Sequence, residues 1–254
     1  MARLDRARWE DLSSIGLTGH PGGRSATEQL ASMCILQPGQ RILVVGCGAG
    51  HTACYLAAEW RVRAIAFDFA FGMVRWTQYR ALRKGVGKDV FCLQADAHML
   101  PFPDNVFDGI FAESVTVLLN KKRAIDEYLR VTKPGGFVAD NEPTWKAAPP
   151  LSLLKVAQHR LRNSPDHVYA LCAEEWRAVY ERAGLQKVQV VVRPYALKTI
   201  LRDFVRIEGV AIGQSIIRTL MVPGILRSFF DPGSWRYRRG TRWLAAGLIV
   251  GRKE

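Results

Sequence analysis

Four carboxylates stand where short apolar runs end. Asp68 follows VRAIAF (62–67), Asp96 follows VFCLQA (90–95), Glu113 closes VFDGIFAE (106–113) and Glu142 closes FVADNE (137–142). A carboxylate so placed accepts hydrogen bonds from sugar hydroxyls or amino groups, or takes a proton from a substrate. A glycine run, VVGCGAG (44–50), lies between the apolar run RILVV (41–45) and the helical stretch HTACYLAAEW. Gly46, Gly48 and Gly50 permit positive φ or close approach of a ligand, and the helix N-terminus beyond them offers N–H groups to a carboxylate or phosphate. Read from Gly48, GAGHTA fits the dinucleotide pattern G-x-G-x-x-A. Asp68 follows at the spacing of about 20 residues that suits ribose hydroxyls, in a dinucleotide or in another adenosine ligand. The competing reading of Asp68 is a helix N-cap. Asp96, next to Ala97, can accept from an adenine amino group.

Glu142 sits in ADNEPTW, with Trp145 close behind. Glu113 and Glu142 are both expected to face the ligand pocket, and Glu142 with Trp145 would suit a cationic or aromatic acceptor. The alternative is a solvated or salt-bridged loop acid beside a core tryptophan. His167, in SPDHVYALC, precedes a helix, where it is either a base reaching the pocket or a solvated loop residue. Candidate catalytic groups are therefore Glu113, Glu142 and His167. Candidate acceptor contacts are Glu142, Trp145, His167 and Tyr195, with Tyr169 open, and His20 and His98 read as structural or cofactor-adjacent. Cys34, Cys47, Cys54, Cys92 and Cys172 include no C-x-x-C pair, so free thiols in a reducing compartment are expected, and no metal site.

Strands and helices must alternate to place these groups. The apolar runs already quoted read as five strands, joined by VQVVVR (188–193) and WLAAGLIVGRK (243–253). Helices are expected within 27–36, capped by Ser25 or Thr27, over HTACYLAAEW, through MVRWTQYRALRKG to Gly85, over 121–132 up to Pro134-Gly135-Gly136, and near 151–162 and 173–183. The pattern predicts an α/β fold: a Rossmann-like, seven-stranded, mostly parallel sheet with helices on both faces. Ligands of such sheets bind at the carboxyl ends of the strands. The 254 residues suit one domain over 1–254, with N-terminal cap helices in 1–40 and a helical insert at 195–242 between the last two strands.

The motifs together resemble the class I S-adenosylmethionine-dependent methyltransferases, especially the small-molecule branch with the quinone-biosynthesis C-methyltransferases. The matching segments are RILVVGCGAG (41–50), IAFDFAFGMV (65–74), QADAHMLPFPDNVFDGIFAE (94–113) and YLRVTKPGGFV (128–138), and the resemblance spans roughly 20–193. It implies a methionine moiety against Gly46, Cys47, Gly48 and Gly50, ribose at Asp68 with Phe69, and adenine at Asp96 with Ala97. It also implies Glu113-Ser114-Val115 under the sulfonium, GHPGG (19–23) with Thr27 closing over the cofactor, and S-adenosylhomocysteine as product. One departure is Val44, where the family usually carries an acid that helps hold the cofactor's ammonium. It implies weaker cofactor binding, a substitute contact, or a relative without activity.

The net charge is +13, and 195–242 holds nine Lys/Arg against three Asp/Glu, a net of +6. Ile200, Leu201, Phe204, Val205 and Ile207 share helical spacing there, and WRYRR (235–239) interleaves cations with aromatics. The insert reads as a lid or homodimer contact, as a peripheral contact with an anionic membrane, or as an RNA surface. It is too apolar to track phosphates simply, and ESVT after the fourth strand is not the N-P-P-Y type of base N-methylation, so nucleic acid is disfavoured. No run approaches the roughly 18–20 apolar residues of a membrane span, so the expected compartment is cytoplasmic, with or without that peripheral contact. Four functions remain in competition: methylation of a small, hydrophobic acceptor, an RNA or protein methyltransferase, a non-catalytic partner subunit, and an NAD-dependent reductase. No Lys, Tyr or His set for the last is found downstream.

Overall fold

A computed structural model gives the fold, and it describes residues 19–147, 170–194 and 243–254. His167, Tyr169, Tyr195, the expected helix at 151–162 and the insert at 195–242 lie outside the described residues.

In chain order the elements are α1 (Gly23–Cys34), β1 (Arg41–Val45), α2 (His51–Trp60), β2 (Arg63–Asp68), α3 (Phe71–Arg83), β3 (Val90–Gln94) and β4 (Phe107–Glu113). A 3-10 turn (Thr116–Leu118), α4 (Lys121–Val131), β5 (Thr132–Trp145), β6 (Leu171–Cys172), α5 (Ala173–Arg182), β7 (Gln186–Pro194) and β8 (Leu244–Arg252) follow. The sheet order is β3-β2-β1-β4-β5-β8-β7, parallel from β3 to β5, with β8 antiparallel to both β5 and β7. The seven expected strands are all present, and two-residue β6 adds a short parallel contact to the end of β5.

The helices cover both faces because the strands alternate their side chains. On one face Val44, Ala66, Phe111, Ala139 and Val250 meet α1, α2 and Ala81 of α3. On the other, Val45, Phe67, Ala112, Val138 and Ile249 meet α4 and α5, whose Tyr128, Trp176 and Tyr180 are fully buried. Amphipathic spacing makes α4: Ala124, Ile125, Tyr128 and Val131 face the core, and the Asn120 side chain caps it by accepting from the Arg123 N–H.

Two boundaries differ from the sequence expectation. Helix α1 begins at Gly23, with Gly22 at its N-cap, so neither Ser25 nor Thr27 caps it. Pro134-Gly135-Gly136 does not separate helix from strand. Strand β5 starts at Thr132 opposite Phe107 and resumes at Phe137 opposite Gly109, so the triplet is looped out as a bulge inside the strand. The bulge is tied to the sheet's far end, where Gly135 N–H donates to Lys253 O and Lys253 N–H to Gly136 O.

Candidate active site

Strand order reverses between β1 and β4, which places a crevice at their carboxyl ends. The glycine turn leaves β1 there. Gly46, Gly48 and Gly50 take φ of 57°, 51° and 82°. A Cβ on Gly50 would lie 2.7 Å from Thr77 Cα, so only glycine lets α3 pack this closely. Helix α3 holds the turn from behind: Thr77 Oγ1 donates to Gly48 O at 2.9 Å and Arg80 Nε to Ala49 O at 2.7 Å. With those carbonyls engaged, Asp68 meets the turn from β2. Its carboxylate accepts from Gly48 N–H and Ala70 N–H, each at 3.0 Å, and its burial is nearly complete. Asp68 thus pins the turn to the start of α3, while neighbouring Phe69 is half-buried and gives its carbonyl to Gln94 Nε2. The Cys47 thiol is buried, and burial, with Asp68 beside it, pushes its pKa well up, so it stays a neutral thiol.

Asp96 is exposed beyond β3, and Ala97 beside it is buried. Asn120 N–H donates to His98 Nε2 at 3.2 Å, so the His98 proton sits on Nδ1 and is given to Asp96 Oδ1 at 2.8 Å. Burial works against the Asp96 charge, but the backbone and ring N–H groups of His98 hold its pKa below the usual range. His98 is therefore structural: it joins the end of β3 to the start of α4.

Glu113 collects the densest polar cluster. Its carboxylate accepts from Thr27 Oγ1 at 3.0 Å, from Thr52 Oγ1, and from Asn141 Nδ2 at 3.1 Å, with His20 Nδ1 3.5 Å away. Asn141 Nδ2 also reaches His20 Nδ1 at 2.8 Å and Pro21 O at 3.0 Å, so the GHPGG segment is fastened over the strand ends. With Nδ1 accepting, His20 carries its proton on Nε2, which faces Thr27 Oγ1 at 3.2 Å. Beside the cluster opens a cavity lined by His20, Arg24, Thr27, His51, Thr52 and Tyr55, with Lys84 at its edge.

Glu142 and Trp145 correct the sequence expectation. Glu113 and Asn141 point to the α1/α2 face, whereas Glu142 points to the α4/α5 face, where it is fully buried. Its Oε1 accepts from Val115 N–H at 3.0 Å and Thr116 N–H at 2.8 Å. The two glutamates therefore do not share one pocket. Trp145 lies three residues on in an unbroken strand register, hence on the opposite face of β5 from Glu142, so no joint carboxylate and aromatic wall forms. Sequence reasoning missed Thr52, Thr77, Arg80 and Asn141. A period-2 count from Glu142 would have set Asn141 on the other face, but its pairing with Glu113 depends on strand register.

The site can be compared with known proteins. Residues 43–139 match the methyltransferase domain family. A 27-O-demethylrifamycin SV methyltransferase of Amycolatopsis mediterranei is 30% identical over 185 residues, 72% of this chain and 66% of that protein. A ubiquinone/menaquinone biosynthesis C-methyltransferase of Coxiella burnetii is 33% identical over 133 residues, half of each chain. In fold, the chain is similar to a methyltransferase from Thiobacillus denitrificans solved with S-adenosylhomocysteine, at a TM-score of 0.73 and 16% identity over 100% of this chain and 99% of that one. A turn held from behind by α3, with carboxylates on either side at the β1/β4 crevice, lies here within the matched residues 43–139, and the chain belongs to the S-adenosylmethionine-dependent methyltransferases.

Proposed function

We propose that this chain moves the methyl group of S-adenosylmethionine to a small, hydrophobic organic acceptor. The observation that carries the reading is the meeting of the glycine turn, Asp68 and Glu113 where strand order reverses. Relatives named for a rifamycin and for quinone biosynthesis support a small acceptor, although this chain spans only 66% and 50% of those proteins.

The residues present fit the cofactor. Gly46, Cys47, Gly48 and Gly50 would bear the methionine moiety, Asp68 with Phe69 the ribose, and Asp96 with Ala97 the adenine. Val44 is apolar and points to the same face as Glu113. Glu113 therefore replaces the acid absent from β1, and the buried Asn141 Oδ1, which has no hydrogen-bond partner among the described residues, is a second acceptor for the ammonium. Arg24 and His51 line the adjoining cavity and suit the carboxylate.

S-Adenosylmethionine supplies a methyl group on a sulfonium, already activated for in-line displacement. The chain's own residues align the partners and exclude water, and such positioning contributes roughly 7–11 kcal/mol of a barrier. Thr27 and His20 close the N-terminal segment over Glu113, and Val115 lies against the glycine turn. Glu142 is sealed from the cavity and moves no acceptor proton directly.

Isothermal titration with S-adenosylmethionine, S-adenosylhomocysteine and NADH tests this reading. Binding of the first two alone is expected, and Asp68→Ala should weaken it about tenfold or more, the value of a charge-assisted hydrogen bond of roughly 1.5–3 kcal/mol. Unchanged affinity in a folded Asp68→Ala protein would overturn the ribose assignment. No binding by the wild type would favour a non-catalytic partner subunit.

A further inference from the structure

Strand β5 carries two carboxylates at consecutive inward positions, Asp140 and Glu142, on the face away from the cofactor cavity. Both are fully buried. Glu142 Oε1 is occupied by the Val115 and Thr116 amides, yet Glu142 Oε2 and both Asp140 oxygens have no hydrogen-bond partner among the described residues. Lys121 faces the pair from α4, close enough to act on both charges, and its Nζ donates to Val117 O and stands 5.9 Å from the Trp176 ring. Tyr180 from α5 and Thr116 stand beside Asp140 without closing a hydrogen bond of good geometry, and Tyr128 lies behind Thr116 at 3.4 Å. Strand β8 adds only apolar Ile249 opposite Asp140.

Among the described residues two carboxylates face one ammonium, and both ionised would leave a bare negative charge in a dry interior, which is strongly unfavourable. One retained proton removes it. A carboxyl O–H on either partner is a donor that the free oxygens otherwise lack, and it brings these three charges to a net of zero. We propose that Asp140 and Glu142 hold one proton between them, and that this pair, through Glu142, positions Val115 against the glycine turn for methyl transfer. Glu142 is a positioning residue: it holds the backbone of Val115, whose side chain packs on Gly46. Burial and then the neighbouring Asp140 push the Glu142 pKa well up, and burial pushes Asp140 up to about 7. Burial lowers Lys121 to about 8 against the pull of both carboxylates. The two carboxyls titrate as one unit.

The first measurement is infrared spectroscopy of the ligand-free protein at about pH 8, where ordinary carboxyls are ionised. A protonated-carboxyl carbonyl stretch is expected, absent in both Glu142→Gln and Asp140→Asn. The second is S-adenosylhomocysteine affinity across pH. Wild-type affinity should fall at the pH where that stretch disappears, and Glu142→Gln should show no such fall. Glutamine still accepts the two amides and donates to Asp140, so it should restore most of a loss of tenfold or more seen in Glu142→Ala. Absence of the stretch, or a Glu142→Gln protein as weak as Glu142→Ala, would overturn the proposal. If Glu142→Ala does not fold, the wild-type and Glu142→Gln pH series decide alone, and a parallel fall in both refutes it. The inference rests on the cofactor reading only in its second measurement. A wild type that never binds S-adenosylhomocysteine defeats that reading while the infrared result still tests the shared proton.

Discussion

Gly46 joins the turn, the loop after β4 and the Glu142 pair, so a methyl group added there tests the arrangement directly. Gly46→Ala forces a side chain into φ of 57° and sets its Cβ inside van der Waals contact of Val115 Cγ2. The left-handed backbone costs an alanine roughly 1–2 kcal/mol and the overpacking about 1–3, giving about 2–5 kcal/mol in all. The two contributions separate in a double-mutant cycle with Val115→Ala, followed by urea denaturation. Shortening Val115 relieves the clash but not the backbone strain. The double mutant should therefore be more stable than the sum of the single effects implies, by about 1–3 kcal/mol, the overpacking part. Additivity within about 0.5 kcal/mol would refute the contact between Val115 and the turn, and with it the route by which Glu142 acts.

Two further outcomes are expected. Arg130 donates to both Glu127 oxygens, to Asp104 Oδ1 and to the carbonyls of Leu100 and Phe102. The Arg130 hydrogen bonds, against burial, hold the Glu127 pKa down, so Glu127 adds stability that is present above its unfolded pKa of about 4.3 and lost as pH falls through its lower folded value. Arg130→Met should flatten that acid-side loss in denaturant midpoints measured across pH, and equal slopes in the two proteins would show the pairing to be inert. The protein should also sediment with anionic liposomes at low salt if the insert is an interfacial lid, and deletion of 197–240 should abolish it. Wild-type protein left in the supernatant would remove the membrane reading.

The glycine turn, the alternation of elements and the acids at the strand ends were legible because they are local: period, punctuation and spacing specify them. A mostly parallel sheet with helices on both faces then followed from that alternation. What stayed hidden depends on register between strands distant in sequence. Nothing local shows that Val45 pairs with Ala112, or that Glu113 and Asn141 share a face while Glu142 takes the other. The Glu142–Trp145 separation of three residues was readable as opposite faces by strand alternation alone, and expecting them together ignored that period. Pro134-Gly135-Gly136 misled for a physical reason. Its residues punctuate helices and turns equally well, and only the partner strand decides whether they end an element or bulge out of it.

Among the described residues strand β7 joins the sheet through β8 alone, which comes from beyond residue 243. During synthesis, β7 therefore emerges with no seat, and the edge of β5 that β8 will cover stays open while 195–243 is made. Closure waits on a non-local pairing, the slow kind. Until then both unpaired edges invite wrong partners, so this chain's vulnerable interval falls between the making of its seventh and eighth strands.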